Sequence, residues 1–196
     1  MLKRSAVFAM AAMLFFAVQA GRASADLVQN GNFATGDFTG WTLGGDYANP
    51  SAWVTVNNDG LSYAPPAPSA TYAQFGTAGA PITISQTLAT IAGQYYTVSF
   101  FVLNGLPSST PNNEFQALWD GTKIIDMTSD MSSVWTEYSF TRKVAGSDTL
   151  AFSFLQDASV IDITNVRTSA VPLPGALLLF GPGLLGLAAV RKRIHT

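Results

Sequence analysis

The chain has 196 residues, with ten lysines and arginines, twelve aspartates and glutamates, one histidine and no cysteine, for a formal net charge of −2. Without cysteine there can be no disulfide framework, no thiol nucleophile and no thiolate metal site. The one histidine, His195, lies in the last few residues, so neither a Ser-His-Asp triad nor a histidine-ligated zinc site can form in the body of the chain.

Residues 1–25 read as a signal peptide. Lys3 and Arg4 are followed by an uninterrupted apolar run, Ala6 to Val18. Ala23 and Ala25 then offer the small residues that a signal peptidase pocket accepts, which predicts cleavage before Asp26 and a mature N-terminus there. The apolar run is 13 residues, short for a permanent span of about 20.

Residues 26–170 keep only Lys123, Arg142, Lys143 and Arg167 against all twelve carboxylates, a net charge of −8. An acidic surface with four scattered cations repels phosphate backbones, so a nucleic-acid partner is not expected. The 145 residues are one domain's worth of chain, and a domain of that size buries roughly 68–70% of its unfolded surface.

Helical periodicity is nearly missing from this segment. Short β-branched and aromatic runs recur between Gly, Pro, Asn and Asp clusters, the pattern of an all-β antiparallel sandwich or barrel. Strands are expected at Leu27–Phe33, Trp53–Val56, Tyr72–Phe75, Ile82–Leu88, Tyr95–Leu103, Glu114–Trp119, Lys123–Met127, Trp135–Thr141, Thr149–Leu155 and Val160–Val166. Tyr96, Val98, Phe100 and Val102 alternate with Tyr95, Thr97 and Ser99, and Leu150, Phe152 and Phe154 with Ala151, Ser153 and Leu155. Ile161 and Ile163 likewise alternate with Asp162 and Thr164. Such period-2 spacing sends each set to one face of a sheet. Asp120-Gly121 accepts the positive φ angles of a type I′ turn and predicts a two-residue hairpin. The polar stretches Ala64–Ser69 and Gly105–Asn113 are long loops, either binding surfaces or spacers.

Residues 171–196 form a three-part tail. Val171-Pro172-Leu173-Pro174 precedes the uncharged run Gly175–Val190, and Arg191-Lys192-Arg193 follows it. A transmembrane helix over 175–190 would have its basic end in the cytoplasm and leave the preceding domain outside. Pro182 and the glycines weaken such a helix, which suits a transient inner-membrane anchor. Motif, span and basic cluster together resemble the PEP-CTERM sorting signal, in its variant that begins Val-Pro-Leu-Pro. Leu179-Phe180-Gly181-Pro182-Gly183-Leu184-Leu185-Gly186-Leu187 is similar to that variant's span, with Leu173 in place of the parent motif's glutamate. The resemblance implies recognition at Val171, Pro172, Leu173 and Pro174 by an exosortase-like membrane enzyme of Gram-negative bacteria that make exopolysaccharide.

A second resemblance lies in Leu27-Val28-Gln29-Asn30-Gly31-Asn32-Phe33 with Gly40-Trp41, in Gly93–Phe100, in Trp135–Phe140 and in Ile161–Val166. These segments are similar to galactose-binding-domain-like jelly rolls, a fold that many carbohydrate-binding modules share. The resemblance implies a structural calcium between the first loop and an Asp of the last strand. Here that would place the Asn30 and Gly31 carbonyls beside Asp162, with hard oxygen ligands that suit calcium. Asp162 on an alternating strand could equally be solvent-facing surface. Ala34 stands where many members place an acidic residue.

Three functions fit these features. The preferred one is an exported, surface-sorted, non-catalytic module for extracellular polysaccharide, with Trp41, Trp53, Tyr63, Tyr72 and Trp119 as candidate sugar contacts, since flat aromatic faces bind apolar sugar surfaces. Another is a structural matrix protein without a small ligand. The third is a carbohydrate-active enzyme using two carboxylates about 5–10 Å apart. Glu114, Asp126, Asp130 and Glu137 are available for that, but no motif pairs them, and no catalytic residue is expected.

Overall fold

The computed structural model describes residues 26–58, 64–66, 68–105, 113–128 and 131–172. The expectations for the signal peptide (Ala23, Ala25), Tyr63, Asp130, Leu173, Pro174, the uncharged run and Arg191, Lys192 and Arg193 fall outside these residues. The described residues form eight strands: β1 (Thr42–Gly45), β2 (Trp53–Asn57), β3 (Tyr72–Leu88), β4 (Tyr95–Asn104), β5 (Glu114–Trp119), β6 (Thr122–Thr128), β7 (Thr136–Lys143) and β8 (Asp148–Ala170). No helix occurs among them, and every pairing is antiparallel.

Two long strands build the sandwich by bending. The Ile82–Ser85 part of β3 pairs with β1, and the Leu150–Leu155 part of β8 pairs with β5, which carries β6. The other halves, Tyr72–Gly76 of β3 and Ile161–Ala170 of β8, pair with β2 and with β4, and β4 carries β7. β3 and β8 stay paired along their length, with register shifts around Thr77. One layer is therefore β1-β3-β8-β5-β6, and the other is β2-β3-β8-β4-β7. The four separate strands expected at 72–75, 82–88, 149–155 and 160–166 are two continuous ones. Gly76, Gly79 and Pro81 lie between the halves of β3 without ending the strand, and the bends sit at the shifted registers.

Aromatic rings fill the space between the layers. Phe100 of β4 meets Phe152 of β8 edge-on at 4.9 Å and Phe115 of β5 at 5.7 Å. Phe75 stacks on Phe154 at 4.1 Å. Each buried ring contributes several kcal/mol through apolar burial, with about 1 kcal/mol more from ring–ring geometry. These rings come from the alternating sets read in the sequence: Tyr96, Val98, Phe100, Val102, Leu150, Phe152 and Phe154 are all buried.

Residues 27–33 are a chain of turns, not the expected strand. Asn30 and Phe33 have φ of 51° and 54°, which ends any extended run. Only the Leu27 N–H to Thr168 and Val166 N–H to Gly31 hydrogen bonds tie this segment to β8. Phe33 and Trp41 plug the core from here, stacked at 5.9 Å. The Asp120-Gly121 hairpin forms as expected, with φ of 48° and 73° and Trp119 opposite Thr122. β1 carries no apolar alternation in Thr42-Leu43-Gly44-Gly45, and no sequence signal pointed to it.

Candidate functional site

The outer face of the β2-β3-β8-β4-β7 layer follows from the registers. Residues whose neighbours along the strand are core point outward: Trp53, Thr55 and Asn57 on β2, Tyr72 and Gln74 on β3, Asp162 and Thr164 on β8, Phe101 and Leu103 on β4.

Trp53 stands on this face at the edge strand and is 58% exposed. Its indole Nε1–H donates to Gln74 Oε1 at 2.8 Å, and Asn57 Nδ2 donates to the same oxygen at 3.2 Å. The shared acceptor fixes the indole's direction while its ring face stays accessible. With Oε1 engaged twice, the Gln74 amide donors and the Asn57 amide oxygen are the groups left to meet a hydroxyl-bearing ligand. A pinned, exposed indole beside two amides can stack on an apolar ring face and bond the hydroxyls around it.

Beyond Gln74 the face is closed. Tyr72 of β3 and Trp135, the residue just before β7, meet edge to face at 5.8 Å, although β8 and β4 lie between β3 and β7 in the sheet order. Their rings therefore lie over Asp162, Thr164 and Leu103, which are buried. Asp162 is not the solvent-facing residue that simple alternation allows. Pro66 and Thr71 also pack onto β8: Asn165 Nδ2 donates to the Pro66 carbonyl at 2.9 Å, and Thr164 Oγ1 donates to the Thr71 carbonyl at 2.7 Å.

The other candidate aromatics have different places. Trp41 is a core residue whose Nε1–H donates to the Asn30 carbonyl at 3.2 Å. Trp119 is a core residue edge-on to Phe140 at 6.2 Å, with Nε1–H donating to Asp148 Oδ1 at 3.0 Å. Neither offers a ring face to a ligand. Tyr72 is buried but belongs to the outer face. Trp135 and Gln74 were not singled out by sequence. Trp135 lies inside an expected strand with nothing to mark its reach across the sheet.

The first loop and Asp162 are not brought together, so these residues do not fit a shared calcium ion. A Cβ placed on Gly31 would collide with the Val166 carbonyl, which docks the loop four residues beyond Asp162, roughly 13 Å along an extended strand. The Asn30 carbonyl already accepts from Phe33 N–H and Trp41 Nε1–H, and the Gly31 carbonyl from Val166 N–H.

Of the four carboxylates, Glu114 and Asp126 converge on the outer side of the β5–β6 hairpin. Lys123 Nζ lies 3.7 Å from Glu114 and 3.2 Å from Asp126, and Gln116 Nε2 donates to both. The cation between them makes an ordinary surface ion-pair cluster. Glu137 is exposed on β7. Asp148 is tied more firmly. Burial pushes its pKa up, but hydrogen bonds from Thr90 Oγ1, Ala145 N–H, Trp119 Nε1–H and Gly146 N–H outweigh it and bring the value down to about 2.

No protein-family model and no curated protein matches the chain. Solved structures do. The chain is similar to TmCBM61 in complex with β-1,4-galactotriose, at 15% identity and a TM-score of 0.58, over 76% of this chain and 100% of that one. It is similar to the CBM22-1 xylan-binding domain of Xyn10C from Paenibacillus barcinonensis, at 14% identity and 0.52, over 79% and 100%. The enzymatically active domain of tailspike protein 4 from bacteriophage CBA120 matches at 20% identity and 0.55, over 74% of this chain but only 21% of that one. At these identities the likeness establishes a shared fold, the antiparallel jelly-roll sandwich of carbohydrate-binding modules.

Proposed function

We propose that the chain is an exported, non-catalytic module that binds extracellular polysaccharide through the Trp53 margin of its β2-β3-β8-β4-β7 layer. The observation that carries this reading is the exposed indole held in direction by Gln74. The fold supports it, since neighbours named for xylan and β-1,4-galactotriose are built the same way. The galactose-binding-domain-like subclass is part of this proposal. So is a neutral or weakly polar glycan as ligand, since a domain of charge −8 repels an acidic polymer.

The sorting tail belongs to the same proposal. Cleavage before Asp26 and recognition of Val171, Pro172, Leu173 and Pro174 by an exosortase-like enzyme would place the domain at the cell surface or in the matrix. The transient anchor would be lost on processing. Support comes from the order of motif, uncharged run and Arg191-Lys192-Arg193.

Affinity electrophoresis of the mature protein through gels containing xylan, galactan or the producing strain's exopolysaccharide tests the binding reading. Retardation in one of them supports it. Unchanged mobility in all leaves the matrix protein without a ligand as the better account.

A further inference from the structure

The chain enters and leaves the sandwich at one end. Asp26 Oδ1 accepts from Thr168 N–H at 2.8 Å, and Val171 N–H donates to the Tyr95 carbonyl at 2.8 Å. Both of the expected processing points therefore flank the same edge of the β7-β4-β8 sheet. The uncharged run begins at Gly175, four residues beyond Val171.

That end is unusual in composition. Ile91, Tyr95 and Val171 are among the few exposed large apolar side chains. Tyr95 is paired across the sheet with Lys143, and Val171 continues the register on its other side, so Lys143, Tyr95 and Val171 make one outward row. Ile91 sits in the turn just before β4 at the same end, where Gly93 N–H donates to the Val144 carbonyl at 2.9 Å. Arg142 pairs with core-facing Tyr96 and so points to the other side of the sheet, and Arg167, opposite Ser99, lies four residues before Val171, roughly 13 Å along the strand. Lys143 is thus the cation of this row. The carboxylates at this end are engaged: Asp26 by Val28 and Thr168 N–H, Asp120 by Thr149 N–H, and Asp148 by four donors.

We infer that this end is a lipid-contact surface, which seats the sandwich on the outer leaflet of the inner membrane while the tail is still attached. Amphipathic tyrosine, lysine with an apolar stem and single aliphatic side chains are what a headgroup layer takes up. Lys143 beside these apolar groups adds a cation that an anionic leaflet attracts. Trp53 is at the opposite end. Gly76, its partner on β3, and Gly105, just past β4, both pack against Ser159–Val160, so the length of β4, roughly 30 Å, separates Trp53 from Tyr95. The seat would hold the candidate sugar-binding indole away from the bilayer.

This inference rests on the tail being a membrane segment, and one experiment separates the two. The chain has no cysteine, so single-cysteine variants of the full chain can carry a fluorophore at Ala92→Cys, Ser51→Cys or Leu185→Cys. They are placed in vesicles of phosphatidylethanolamine and phosphatidylglycerol that contain nitroxide lipids. Headgroup nitroxides should quench the Ala92 site several-fold more than the Ser51 site. That difference should shrink with Ile91→Ser and Lys143→Glu, and in phosphatidylcholine alone. Equal quenching at Ala92 and Ser51, with Leu185 quenched by acyl-chain nitroxides, would overturn the seat but keep the tail reading. No quenching at Leu185 would overturn both. Quenching at Ala92 that Ile91→Ser and Lys143→Glu leave unchanged would reduce the seat to mere tethering and overturn it. Shielding of Ala92 in native membranes but not in vesicles would assign the surface to a protein and overturn it too.

Discussion

Tyr72 and Trp135 meet edge to face at 5.8 Å across two intervening strands. This contact closes the centre of the outer face and leaves Trp53 exposed at its margin. Removing either partner should uncover Asp162 and Thr164. Tyr72→Ala and Trp135→Ala are expected to lower stability by about 2–4 kcal/mol. Trp53→Ala, at an exposed site, should change it by less than about 1 kcal/mol. Urea unfolding of the three variants provides the comparison.

Asp148 gives the sandwich a defined acid limit. Its folded pKa of about 2 lies below the unfolded value of about 3.9. A depressed carboxylate contributes stability above the unfolded value, and that contribution is lost as pH falls through the interval toward the folded one. Wild-type stability should therefore drop between about pH 4 and pH 2, by on the order of 2 kcal/mol from this group. Asp148→Asn should be less stable at neutral pH and show a shallower drop over that interval. Thermal midpoints measured from neutral pH down to the acid limit test both signs.

Much of the framework was legible in the sequence because alternation and turn chemistry are local signals. Phe100, Phe152 and Phe154 declared their faces by period, and Asp120-Gly121 declared its hairpin by the φ angles both residues tolerate. What stayed hidden is not local. The bends of β3 and β8 are set by partners that change along each strand. The burial of Asp162 and Thr164 was not legible because period 2 shows which residues share a face, not what covers that face. The same limit applies to the site. Trp41, Trp119 and Trp53 are indistinguishable by residue type, and only packing separates two core rings from the exposed one.

The separation of Asp162 from Gly31 has its own consequence. Calcium should leave the thermal midpoint of the mature protein unchanged relative to chelator. Asp162→Ala should destabilise it equally in both. At 100 times the dissociation constant a bound ion would add about 2.7 kcal/mol, so a site at these residues would be seen as a midpoint rise of several degrees in wild type alone.

The proposed sugar-binding surface is Trp53, pinned by Gln74. Isothermal titration of whichever polysaccharide retards the mature protein, against wild type, Trp53→Ala and Gln74→Ala, tests it most directly. Loss of one aromatic anchor costs about 2 kcal/mol or more at a binding hot spot. Trp53→Ala should therefore weaken binding by roughly thirtyfold with an unchanged thermal midpoint. Gln74→Ala, which frees the indole without removing it, should fall in between. Wild-type affinity in a folded Trp53→Ala variant would contradict the account.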